Sequence, residues 1–315
     1  MQNLSRRAFF GGKTPKLSQW DQLLLQLRRK TQGQLRLLEQ EEQEDHVEQA
    51  VFSPSVMTDL HHVRQLCHAC GISLCLWGCG DQQLNDLLGP VLWLDMRDLN
   101  QLMPVDQEKT QWFMQAGVCM SQLKEVGFDA VQSLPDDLTV ANWLADSHHH
   151  AYALSKLSES GLVHASLLSV EGSVNSLGPF GSQNTKPLNT AFLRQLVPQL
   201  FELASTETAQ ALLKQPHWLG RYRLDMFDVN HHHLNLAHLL LGHGGNLGVV
   251  EWVVIDKNQL RMPPKLTVTE SSDPVLQIAA QELDGAVKQL FDPDRLFSSG
   301  SVQQGYTPYA VPQHV

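Results

Sequence analysis

The chain has 315 residues, 42% of them apolar and 18% charged, with a formal net charge of −10 at pH 7. That is a globular composition at a length able to bury its own core, which excludes a disordered chain. An acidic balance argues against nucleic acid as a general partner, and no apolar run reaches the roughly 18 residues of a membrane helix.

Ser5-Arg6-Arg7-Ala8-Phe9-Phe10 carries the twin arginines of an export signal. Such a signal continues into an apolar stretch, and residues 11–16 are polar. The reading is an exposed basic tail on a cytoplasmic protein. Ser18 then caps a helix from Gln19, with Trp20, Leu23, Leu24 and Leu27 as its apolar stripe. An acidic run follows at residues 39–45, read as a solvated connection. Ala50-Val51-Phe52 before Pro54 predicts a short strand. Residues 59–70 predict a helix with Leu60, Val63, Leu66, Cys67 and Cys70 on one face and Gly71 as its stop. Residues 72–77 predict a buried strand entering a tight Gly78-Cys79-Gly80-Asp81 turn.

Further strands are expected at residues 91–95 and 111–118, then a short helix at 120–126. Residues 162–170 and 173–177 form a hairpin about Glu171-Gly172. Asn189 is set to cap a helix to about Ala204, with a kink or break at Pro198. Residues 247–255 predict a strand. Asp273-Pro274 opens the last helix, with Leu276, Ala279, Leu283, Val287 and Leu290 facing the core, and Asp292-Pro293 ends it. The class is α+β.

Two glycine turns stand out. Trp77-Gly78-Cys79-Gly80-Asp81-Gln82 follows a strand and frees backbone N–H groups for an anion, without being a G-x-G-x-x-G fingerprint. Gly242-His243-Gly244-Gly245-Asn246-Leu247-Gly248 feeds straight into a strand. It is either a backbone pressed on a flat or phosphorylated group or an ordinary glycine-rich loop. Cys67, Cys70, Cys75 and Cys79 match neither zinc nor iron–sulfur spacing well and read as buried thiols, so no metal is expected. The triplets His148-His149-His150 and His231-His232-His233 read as polar loops, because consecutive side chains diverge.

The order of these features resembles the FAD-linked oxidases, whose FAD-binding domain is shared by vanillyl-alcohol oxidase, p-cresol methylhydroxylase and the glycolate and D-lactate oxidoreductases. The likeness runs over most of residues 49–300. It rests on Ala50-Val51-Phe52-Ser53-Pro54, Trp77-Gly78-Cys79-Gly80-Asp81-Gln82, Leu94-Asp95-Met96-Arg97-Asp98-Leu99-Asn100, Gln115-Ala116-Gly117-Val118, the glycine turn through Val249-Val250-Glu251, and Phe291-Asp292-Pro293 through Gly300.

The resemblance implies two α+β subdomains holding non-covalent FAD, with the substrate domain largely absent. It divides the chain into a tail and helical segment (1–48), a FAD-binding-type domain (49–265) and a C-terminal helix with the closing segment (266–315). Trp77, Gly78, Cys79, Gly80 and Asp81 would cradle the pyrophosphate, and Gly245, Gly248, Val249 and Val250 would line the adenine and flavin side. Val140, Ala141 and Asn142 stand at the family's central glycine pair. His148, His149 and His243 are candidates to touch flavin or substrate.

In size the chain is nearest the flavin subunit of glycolate oxidase. That implies a small 2-hydroxy acid or alcohol as substrate and a partner subunit that takes the electrons. Departures at Cys79 and Ala141-Asn142 imply the alternative: a cofactor-poor member of the fold acting in assembly.

Overall fold

The computed structural model describes residues 17–38, 48–78, 89–181, 188–215, 217–228, 234–263 and 273–298. The twin-arginine tail, the acidic run at 39–45, Cys79, Gly80 and Asp81, the triplet at 231–233 and the end of the closing segment from residue 299 lie outside them.

Ser18 caps α1 (Gln19–Lys30): its Oγ accepts from the Asp21 amide at 3.0 Å. Trp20, Leu23 and Leu27 are buried as their spacing predicts. β1 (Gln34–Leu37) pairs antiparallel with β2 (Gln49–Ser53). α2 (Met57–Cys70) ends on Gly71 at φ 64°, the left-handed cap that glycine adopts freely. β3 (Ser73–Leu76) and β2 both run parallel to β4 (Val91–Leu94), which lies between them in the order β1-β2-β4-β3.

Phe52, Leu92 and Leu94 pack with Leu60 and Val63 of α2, while Val51, Cys75, Val91 and Trp93 cluster separately. Covered strands of this kind lose the polar alternation. The exposed edge of β3 is closed from far along the chain: the Leu74 amide donates to the Leu296 carbonyl at 2.8 Å, and Phe297 bridges to Leu74.

The second sheet has the order β5-β6-β9-β7-β8 and is antiparallel throughout. Its strands are β5 (Leu102–Pro104), β6 (Gln111–Gln115), β7 (Leu162–Leu168), β8 (Val174–Leu177) and the central β9 (Val249–Asp256). Two short helices, α3 (Met120–Glu125) and α4 (Val140–Ala145), lie between β6 and β7. α5 (Ala191–Ala204), α6 (Glu207–Leu213) and α7 (Pro274–Phe291) contribute to the larger core around Trp143, Phe128 and Phe291. Among the described residues no helix is long and apolar enough to cross a membrane.

Four local expectations are corrected. The strand expected to reach Val118 stops at Gln115, because Ala116 and Gly117 turn across the seam between the sheets: their amides donate to Glu251 at 3.1 Å and Leu99 at 2.9 Å. Thr190, not Asn189, caps α5, its Oγ1 accepting from the Leu193 amide at 3.1 Å. Pro198 does not break that helix, which buries Phe192, Leu193, Leu196, Val197 and Leu200 along one face. In α7 the buried positions are Ala280, Leu283, Val287 and Phe291, while Leu276, Ala279 and Leu290 are half-buried.

Gly117 is the tightest point of the seam. A Cβ there would lie 1.8 Å from the Met96 carbonyl oxygen and 2.7 Å from that of Leu99. Both obstacles are backbone, so the sheets must part to admit a methyl group. Gly117→Ala is expected to cost about 3 kcal/mol or more in urea denaturation. An unchanged midpoint would mean that the seam yields freely.

Candidate functional site

The two sheets meet along a cleft. β3 contributes Leu74, Cys75 and Leu76, the end of β4 contributes Leu94, and Met96 lies two residues beyond it. Ala141 of α4 and Phe297 of the closing segment complete that side. The opposite wall is the glycine turn and the start of β9: His243, Gly245, Gly248, Val249 and Val250. The cleft encloses about 350 Å³, its solvent-open part included. Most of that is its open mouth, and between the walls themselves there is only water-sized room. A second cleft of about 280 Å³ adjoins it through the shared Met96 and is polar, with Trp77, Asp95, Arg97, Asp137, Thr139 and Asn142. There the Arg97 Nε donates to Asp95 Oδ1 at 3.0 Å, and Trp77 meets Trp93 edge-on at 5.8 Å.

The glycines of the turn answer first to the protein itself. Gly245 sits at φ 72° and a Cβ on it would meet the Leu76 Cβ at 3.0 Å. Gly248 sits at φ 152°, and its Cβ would lie 2.7 Å from the Leu168 carbonyl oxygen. The flat body against which this backbone is pressed is therefore β3 on one side and β7 on the other. The turn is tied to α4 as well, through Gly242 N to Leu144 O at 2.8 Å and Gly244 N to Ala145 O at 2.9 Å.

His243 is 1% exposed, and its Nδ1 has no hydrogen-bond partner. Burial, reinforced by the nearby Arg221 charge, pushes its pKa down to about 4. The ring is neutral at pH 7 and is the one titratable imidazole on a largely apolar wall.

The start of α4 has no amide to spare. The Val140 amide donates to Val118 O at 2.8 Å, Ala141 to Ala116 O at 2.7 Å and Asn142 to Thr139 Oγ1 at 3.2 Å. These bonds satisfy the donors that an anion would otherwise take.

The sequence candidates thus fall into groups. Ala141, Gly245, Gly248, Val249, Val250 and His243 line the first cleft, and Trp77 and Asn142 line the second. Gly78 turns at φ 79° just before residue 79. His148 and His149 line neither cleft. His148 Nδ1 is 2.8 Å from Asp146 Oδ1, and that hydrogen bond raises its pKa; burial lowers that of His149.

Sequence reasoning missed the bracket that holds the turn. The Lys288 ammonium donates to Asn246 O at 2.6 Å and Phe297 O at 2.7 Å and pairs with the Asp292 carboxylate. The Phe291-Asp292-Pro293 motif was its visible half.

No family model and no curated protein matches the chain. Solved structures do. An alkyldihydroxyacetonephosphate synthase, recorded in two crystal forms, aligns over 67% of this chain and 32% of its own at 15% identity and a TM-score of 0.39. A variant of Physcomitrella patens BBE-like 1 aligns over 74% of this chain and 44% of its own at 10% identity and a TM-score of 0.43. The chain spans less than half the length of either. Likenesses this partial carry no functional assignment.

Proposed function

We propose that this chain is the cofactor-holding part of a FAD-dependent oxidoreductase that oxidises a small 2-hydroxy acid or alcohol, with a partner subunit completing the site. What carries the reading is convergence. Seven residues picked from sequence for the cofactor (Trp77, Ala141, Asn142, Gly245, Gly248, Val249 and Val250) come from three distant segments and line two adjoining clefts at one seam. When bound, FAD supplies the acceptor for a hydride. In the first cleft Leu74, Leu94, Val249 and Phe297 would exclude water around the ring, and the neutral His243 imidazole would lie beside it. Apolar walls suit the faces of the heterocycle, and they would have to part to admit it. The diphosphate finds no donor at α4 and would depend on the turn that begins at Gly78.

That last point favours a second reading, a cofactor-poor member of the same fold that acts in assembly. Flavin extraction separates the two. Protein purified without denaturation should be yellow, show the two-band visible spectrum of oxidised flavin and release about one flavin per chain. A colourless preparation that takes up no FAD in equilibrium dialysis would overturn the first reading and leave the second.

A further inference from the structure

We propose that the outer face of α1 docks the protein on an anionic lipid surface, with Arg28, Arg29 and Lys30 meeting the headgroups. The inference is independent of what the clefts hold, since none of these residues lines either of them.

Charge is segregated along the chain. Residues 1–30 hold seven of its 23 Lys and Arg but one of its 33 Asp and Glu, a net of +6 on a chain of −10. Four of the seven (Arg6, Arg7, Lys13 and Lys16) lead into α1, and three stand on its last turn. The packing of α1 turns those three outward. Trp20, Leu23 and Leu27 cluster with Leu60, Val63 and Cys67 of α2, and Arg28, Arg29 and Lys30 are exposed. Among the described residues none of the three forms an ion pair. One cation would serve the negative end of the helix dipole, so three in a row exceed that need. The acids of both helices are engaged elsewhere. Asp21, at the opposite end of α1, accepts from Ser18 Oγ at 2.8 Å. Asp59 of α2 is buried and accepts from the Gln32 amide at 2.9 Å and the Ser55 amide at 3.0 Å.

The apolar neighbours decide the kind of anion. Leu17 and Leu25 are exposed, and Leu25 stands three and four residues before Arg28 and Arg29, on their face of the helix. Phe9 and Phe10 fall between Arg7 and Lys13 in the sequence. An acidic protein patch would call for charge alone. A bilayer interface takes both kinds of residue, the cations at its headgroups and the apolar side chains at the acyl boundary. The buried stripe of α1 stays in the core, so the attachment is peripheral and electrostatic.

The experiment is co-sedimentation of the full chain with vesicles of phosphatidylcholine alone and with roughly one-third phosphatidylglycerol added. The protein should sediment with the anionic vesicles, stay in solution with the neutral ones, and be released in about 0.5 M salt. The triple variant Arg28→Gln, Arg29→Gln, Lys30→Gln should lose about tenfold or more in affinity for the anionic vesicles. Lys156→Gln, an exposed lysine on another element, should bind as wild type does. No sedimentation with anionic vesicles, or equal sedimentation with both kinds, would overturn the inference. So would wild-type affinity in the triple variant, which would leave the attachment to residues outside α1. Should the triple variant fail to fold, the vesicle comparison and the salt release on the wild-type chain decide alone.

Discussion

Stability will fall steeply between pH 6.5 and 5, before any ordinary carboxylate titrates. Buried imidazoles are the cause: His149 is lowered by burial, and His150 and His243 further. His150 is 4% exposed, with Nε2 2.7 Å from the Trp143 carbonyl, and burial lowers its pKa to about 3. His243 is lowered to about 4. In the unfolded chain both return to 6.5. Below that pH the unfolded chain takes up protons that the folded one refuses, so the equilibrium shifts toward unfolding.

The stabilisation is whole above pH 6.5 and drains as the pH falls toward the folded values. Each imidazole contributes a slope of up to about 1.4 kcal/mol per pH unit. His148 works in the opposite sense and in another window. Its raised pKa gives stability that is present below 6.5 and lost as the pH rises through the folded value. Urea midpoints taken from pH 8 to 5 read the effect directly. His150→Phe should remove one imidazole's share of the slope, whatever it does to the midpoint at pH 7. A flat profile over pH 6.5 to 5, or an unaltered slope in the variant, would show that these rings are reached by water.

What the sequence discloses about this fold is what short-range chemistry decides. Ser18, Gly71 and Asp273 mark helix ends because a cap acts within a few residues. α4 escaped because all six of its residues are buried, so no polar face betrays a helical period. The place of β4 between β2 and β3 is a long-range choice that no local pattern carries. The glycine turn shows the limit most clearly. Its sequence says that backbone is closely approached at 245 and 248, and it cannot say by what. The approaching groups are Leu76 and the Leu168 carbonyl, from strands far away in the chain. The candidate site was legible as a set of segments. Which atom in it lacks a partner became visible only once those segments were folded together.

The bracket around Lys288 gives the largest single-residue effect expected. Asp292 is 1% exposed, and its carboxylate accepts from the Leu296 amide at 2.9 Å and the Phe297 amide at 2.8 Å. It holds the closing segment, and Lys288 joins that segment to the glycine turn through the carbonyls of Phe297 and Asn246. Burial lowers the lysine's pKa while the Asp292 charge opposes that shift, so the ammonium stays in place because of its partner. Lys288→Met keeps the stem and removes the charge. It strands a buried carboxylate and two carbonyls, which costs about 3–5 kcal/mol. For a chain of this size that is a fall of roughly 10 °C in melting temperature. Lys156→Met is the control: its partner Glu159 lies 3.4 Å away with both side chains well exposed, and surface pairs of this kind are worth about 0–1 kcal/mol. Because Phe297 and Gly245 line the cleft at either end of the bracket, Lys288→Met should also loosen whatever the cleft binds. Melting temperatures within 2 °C of each other for wild type and Lys288→Met would show that the turn and the closing segment hold together without the charge.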